Sequence, residues 1–244
     1  MQTSPQTQTK NQTPLSKIYF LNMQIADAMT LCGEMLEKCG LVGVIDSDIC
    51  ATIYAAQSPN SPNENPKEAR FGEFVAWCKG FFGANVLFGD CLDCIALERL
   101  RAQNLMCATA ESCTGGLLAY HFTRNAGASA VFLGGVVSYD NSIKQGILGV
   151  RESSLQDFGA VSEKVVSEML CGALDRFGAQ VALASSGIAG PSGGSAQKPV
   201  GCVFLGAQKL GQKPLIEQYF FAGTREQIQE QSCQKALEML LKII

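Results

Sequence analysis

Histidine is almost absent: the chain has one, His121, in 244 residues, so the commonest general base is nearly unavailable to any site it builds. Charge is also sparse. Charged side chains make up 17% of the chain and the formal net charge is −3, which gives no sign of a broad electrostatic attraction to nucleic acid or anionic membrane. No run of 18 uninterrupted apolar residues occurs, so no membrane span is predicted. The opening "MQTSPQTQTKNQTPLSK" has no apolar core, which argues against a signal peptide and predicts a cytoplasmic protein.

Cysteine, by contrast, is plentiful, with eleven residues. Without an export signal the default is reduced thiols. Cys91 and Cys94 form one C-x-x-C, which could be half a zinc site or a redox pair, but a zinc site needs a second pair of ligands and His121 is the only imidazole. The pair is therefore expected to be core or surface thiols, and no metal or cofactor is assigned.

Residues 1–16, rich in Gln and Thr, are expected to be a disordered tail. Residues 17–92 form an N-terminal extension of unassigned role. Over 17–56 its apolar positions suit a helix, as in "IADAMTLCGEMLEKCG", where Gly40 stops it, and a Pro/Asn-rich loop is predicted at 57–70. From residue 93 to 244 helices and strands alternate. "CIALERLRAQN", "GGLLAYHFTRN" and "SEKVVSEMLCGALDRFG" read as helices, the last capped by Ser162 and stopped by Gly178. "LMCATA", "AVFLGGVVSYD" and "AQVALAS" read as strands, and "VGCVFLGAQ" with "PLIEQYFFA" as a hairpin. Thr224 and Gln227 form a capping box for the closing helix. The alternation predicts a layered α/β domain with a largely parallel, mixed sheet.

Three polar loops follow predicted strands: 109–116 ("TAESCTGG"), 138–144 ("SYDNSIK") and 186–201. In open α/β sheets ligands gather at the carboxyl ends of strands, so these loops could share one site. Ser112 sits where a strand turns into a helix, beside unpaired N–H groups suited to an oxyanion, and Gly115 and Gly116 allow close approach. A capped tight turn explains the same residues. Lys144 is the basic residue near the second strand's end. Desolvated, it could activate the serine; alone, it reads as a solvated helix-start lysine. In "GIAGPSGG", Gly187, Gly190 and Gly193 could shape an anion nest, and Arg225 could add a fixed cation. His121 reads as a partly exposed helix residue.

"TAESCTGGLLA", "GASAVFLGGVVSYDNSIKQGILGV" with "GAVSEKVVSEM", "SGIAGPSGGSAQKPVG" and the closing "FAGTREQIQEQ" follow one another as in the CinA C-terminal domain family, which this chain resembles over about residues 93–244. The resemblance implies a three-layer α/β/α sandwich. It implies a nicotinamide-nucleotide amidohydrolase that deamidates nicotinamide mononucleotide to nicotinic acid mononucleotide and ammonia. It also implies a homodimer and a pyridine nucleotide as the small-molecule partner. The family's nucleophile falls on Ser112, its lysine on Lys144, its tyrosine on Tyr139 and its closing arginine on Arg225. Backbone N–H groups from Cys113 through Thr114 and Gly115 to Gly116 would hold the oxyanion, and Glu111 would orient the loop or bind a ribose hydroxyl. Cys113 is a second-ranked nucleophile. The alternative is a nucleotide-binding module of the same family without turnover. Ser186 stands where the family usually has threonine, and the second arginine of the closing motif is missing, with Gln229 and Glu230 in that region.

Overall fold

The computed structural model describes residues 13–56 and 66–244, divided into two compact units between Cys91 and Leu92. The expected tail lies outside the described residues for 1–12, but Ser16 already pairs with Ile53 in a strand. The expected loop at 57–70 lies outside them for 57–65, and residues 66–70 are helical instead.

The first unit contains β1 (Ser16–Phe20), α1 (Ile25–Lys38), β2 (Leu41–Ile45), β3 (Cys50–Ala55), α2 (Pro66–Phe82) and β4 (Val86–Gly89). Its strands run in the order β2-β3-β1-β4, every neighbour antiparallel, which is the β-α-β-β-α-β arrangement of ferredoxin-like sheets. Ile18, Phe20, Cys32, Phe74 and Cys78 lie in its core. α1 falls on the expected helix, and Gly40 follows it at φ +63°. The strands around it depart from a helical reading of 17–56. "LVGVI" and "CATIYA" are short β-branched runs, and pairing favours them as strands.

The second unit contains α3 (Leu92–Ala102), β5 (Cys107–Glu111), α4 (Leu117–Thr123), β6 (Phe132–Val137), α5 (Asn141–Leu148), α6 (Glu152–Phe158) and α7 (Glu163–Phe177). It closes with β7 (Val181–Gly187), β8 (Cys202–Lys209), β9 (Leu215–Phe220) and α8 (Arg225–Ile243). The sheet order is β6-β5-β7-β8-β9. The first three strands are parallel and the β8–β9 hairpin is antiparallel, giving a mixed sheet. α7 covers one face with α5 and α6 against it, while α4 and α8 cover the other with α3, so the unit is a three-layer α/β/α sandwich.

Alternation along β5 separates packing from chemistry. Ala108 and Ala110 face the core made by Val165, Val166, Met169 and Leu170 of α7, so Thr109 and Glu111 point to the α4 side. Each fully buried side chain of that size in α7 contributes about 1.5–3 kcal/mol of apolar transfer. Ser162 Oγ accepts from Val165 N at 3.3 Å, Gly178 ends α7 in the left-handed region, and Thr224 and Gln227 form the capping box of α8.

The loop expected over 138–144 is shorter than predicted. Asp140 accepts from Ser142 N at 2.8 Å and caps a helix that starts at Asn141, so Lys144 lies within α5. α5 crosses α7 closely at Gly172, where a Cβ would stand 2.1 Å from the carbonyl oxygen of Leu148. The cysteines also bring a correction. Nine are free thiols, but Cys91 and Cys94 are disulfide-bonded instead of separate core or surface thiols, because the C-x-x-C spacing at the start of α3 brings the two sulfurs together.

Candidate active site

The carboxyl ends of β5, β6 and β7 open onto one cleft of about 250 Å3. Ser112, Cys113, Tyr139, Lys144, Gly187, Gly190, Gly193 and Arg225 all line it. Asn141, Ala160, Val161, Ser186, Ile188, Ala189 and Ser192 line it too, a set that sequence reasoning did not assign to binding. Asn141 was within reach of that reasoning, since it neighbours the cap of the lysine's own helix. A larger hollow of about 490 Å3 runs along Thr123–Gly134, but it is open and lined by no titratable side chain.

Lys144 is the chemical centre of the cleft. Its side chain is 1% exposed, and Nζ lies 3.2 Å from Ser112 Oγ, 2.6 Å from Ser138 O and 3.2 Å from Tyr139 O. Loss of solvent on burial pushes its pKa below the ordinary lysine value, against smaller raising effects from Asp140 and Cys113. Ser112 is 9% exposed and its N–H donates to Ser185 O at 2.9 Å, continuing the β5–β7 ladder to the last residue before the turn.

Glu111 is turned into the fold, away from the cleft. Its carboxylate accepts from Thr109 Oγ1 (3.2 Å), Thr114 Oγ1 (2.7 Å), Gly116 N (2.9 Å), Leu118 N (3.0 Å) and Ala119 N (2.8 Å). Three of these donors are the unpaired N–H groups at the start of α4, so an internal carboxylate already fills the anion site that this helix would offer a ligand. Thr114 also meets Ser185 Oγ at 2.7 Å. Gly115 and Gly116 adopt φ of +63° and +99°, which is what requires glycine there. Neither they nor Glu111 and Thr114 line the cleft.

Cys113 reaches the cleft, but burial pushes its thiol up to about 12, leaving little thiolate to act as nucleophile at neutral pH. Tyr139 is 64% exposed, and its hydroxyl accepts from Arg225 Nη2 at 3.4 Å. Arg225 Nη1 donates to Gly190 O at 2.8 Å, tying the start of α8 to the glycine loop. Gly187 is required by packing, since a Cβ would meet Val203 Cγ2 at 2.6 Å and Cys202 O at 2.9 Å. Ser186 Oγ donates to Ala160 O at 2.8 Å.

His121 departs from its expected exposure. It is 1% exposed, because α4 packs against both α3 and α8. Its Nε2 lies 3.2 Å from Glu230 Oε2, and its Nδ1 lies 3.7 Å from Asp93 Oδ2, an ion-pair distance too long for a hydrogen bond. It stands apart from the cleft lining.

The CinA C-terminal domain model matches residues 91–244, the whole of the unit that carries this cleft. The chain belongs to that family. Among similar CinA-family proteins, the nicotinamide-nucleotide amidohydrolase PncC of Enterobacter agglomerans is 47% identical over 143 residues, 59% of this chain and 87% of that protein. A CinA-like protein of Leptospira borgpetersenii serovar Hardjo-bovis (strain L550) is 43% identical over 141 residues, 58% of this chain but 34% of the relative, so the match spans about a third of its length. In structure, the competence/damage inducible protein CihA of Agrobacterium tumefaciens superposes with a TM-score of 0.61 at 42% identity, covering 62% of this chain and 93% of that one. A CinA superfamily protein of Escherichia coli gives 0.60 at 36% identity, covering 63% and 88%.

Proposed function

We propose that the second unit is a serine–lysine amidohydrolase that deamidates nicotinamide mononucleotide to nicotinic acid mononucleotide and ammonia. The observation that carries this reading is the buried Lys144 amine 3.2 Å from Ser112 Oγ. A neutral amine has two N–H bonds and one lone pair. Ser138 O and Tyr139 O account for the two N–H bonds, which leaves the lone pair facing the serine hydroxyl.

Lys144 takes the Ser112 proton as Oγ attacks the carboxamide carbon. Backbone N–H groups of the turn stabilise the tetrahedral oxyanion. Those of Gly115 and Gly116 are engaged with Ser112 O and Glu111, and Thr114 lies off the cleft, so Cys113 N–H takes this role. Protonated Lys144 then donates to the departing ammonia, and water, deprotonated by the same amine, hydrolyses the acyl-enzyme. Arg225 and the glycine loop through Gly187, Gly190 and Gly193 hold the 5′-phosphate, with Tyr139 fixing the guanidinium. The protein acts in the cytoplasm as a homodimer on this pyridine nucleotide, and the similarity to the Enterobacter PncC supports that substrate.

Purified protein should release ammonia from nicotinamide mononucleotide, and Ser112→Ala should abolish the release. Full activity in the alanine variant would refute the serine mechanism. Calorimetric binding of the nucleotide by wild type without ammonia release would favour the non-catalytic module.

A further inference from the structure

We propose that Gln229 is a positioning residue that holds the nucleophile turn, and with it Cys113 beside the oxyanion, from outside the turn. This inference rests on the reading of Ser112 as nucleophile and takes it one layer deeper. Within Ser112–Gly116, Ser112 N donates to Ser185 O, Gly115 N to Ser112 O and Gly116 N to Glu111 Oε2. The N–H of Thr114 finds no acceptor among the described residues, and that of Cys113 meets only its own residue's thiol.

A peptide unit is planar, and its C=O and N–H point in opposite directions. Holding the carbonyl of one residue therefore aims the N–H of the next. The carbonyl of Ser112, which aims Cys113 N–H, accepts from Gly115 N at 3.2 Å, a bond internal to the turn. The carbonyl of Cys113, which aims Thr114 N–H, accepts from Gln229 Nε2 at 2.8 Å across 116 residues of sequence.

Gln229 is itself held by the architecture. It lies one helical turn after Arg225 on α8, and Arg225 grips Gly190 O at 2.8 Å. The buried Ile228 fixes the helix beneath them. One stripe of α8 thus holds the nucleophile turn and the glycine loop in fixed relation. Gln229 is thus a neutral donor committed to the turn rather than to a ligand.

The test uses the full chain with Gln229→Glu, which keeps the shape but replaces the donor by a carboxylate, Gln229→Met, which removes the donor without adding a charge, and Gln229→Arg, which keeps a donor. With nicotinamide mononucleotide, kcat should fall about tenfold to a hundredfold in the first two, below the ~100- to 1,000-fold of deleting an oxyanion donor outright, with KM within about twofold. Gln229→Arg should recover most of the kcat. Unchanged kcat in both donor-less variants, or a loss confined to KM, overturns the proposal. If wild type releases no ammonia, the amidohydrolase reading fails, and crystal structures still decide this inference. The Cys113–Thr114 peptide should turn in the donor-less variants, and an unturned plane overturns the role of Gln229 whatever the turnover.

Discussion

Gly172→Ala tests whether the distance between Lys144 and Ser112 is set by the packing of α5 on α7. The added Cβ would stand 2.1 Å from Leu148 O, 2.7 Å from Leu148 C and 2.8 Å from Leu148 Cα. All three are backbone atoms, so no flexible side chain can absorb the clash. Ordinary contact begins at 3.4 Å, so α5 and α7 must separate by 3.4 − 2.1 = 1.3 Å along that direction. α5 carries Lys144 and is capped at Asp140, so the displacement passes to an amine 3.2 Å from its serine. A misplacement of about 1 Å in a reacting pair costs about a hundredfold in rate. Stability should change much less. Overpacking costs about 1–3 kcal/mol, and replacing a mid-helix glycine by alanine returns about 1 kcal/mol, for a net cost of about 0–2 kcal/mol. The expected outcome is a kcat near one hundredth of wild type, with a thermal midpoint lowered by roughly 0–8 °C at about 2–4 °C per kcal/mol. Steady-state ammonia release and a calorimetric melt measure the two. A variant that keeps kcat within twofold of wild type would show that the α5–α7 crossing does not govern the dyad.

Much of the second unit was legible because its signals are local. Ser162, Gly178, Thr224 and Gln227 are capping residues whose roles follow from one turn of chain, and α7 shows its buried stripe at helical spacing. What escaped depended on tertiary contact. Lys144 taken alone reads as a solvated lysine, and only the crossing of α5 over α7 and the ends of β5 and β6 desolvates it. His121 looks half exposed on a seven-residue helix until α3 and α8 close over it. Glu111 could orient or bind from sequence, and the period-two alternation of β5 points it under the start of α4. The strands of the first unit were missed because "LVGVI" and "CATIYA" are too short for periodicity to separate from a helix, while long-range pairing defines them.

Lys144→Met should lower kcat by about a hundredfold to ten-thousandfold while leaving the fold intact, since an apolar side chain of similar length replaces a buried amine. Arg225→Ala should raise KM about tenfold to a hundredfold with kcat nearly unchanged, by loss of charge-assisted hydrogen bonds to the phosphate; equal loss in kcat would move Arg225 into the chemistry. Because burial lowers the Lys144 pKa, kcat/KM should rise with pH along a limb whose midpoint lies below the ordinary 10.5, and a flat profile would remove the lysine base. Asp93→Asn probes the buried cluster that joins α3, α4 and α8. Burial pushes the Asp93 carboxyl up, but His121, Arg124 (Nε at 2.6 Å) and Asn125 outweigh it and hold its pKa well below 3.8. Its contribution to stability is therefore complete above 3.8 and is lost as pH falls through the depressed value. Burial pushes His121 down, but Asp93 and Glu230 outweigh it and raise its pKa above 6.5. That contribution is complete below 6.5 and is lost as pH rises through the raised value. The two overlap between 3.8 and 6.5, so the gap in thermal midpoint between wild type and Asp93→Asn should be widest there and narrow on both sides. A gap constant from acid to alkaline pH would mean that the cluster holds the helices by shape alone, with its charges contributing nothing.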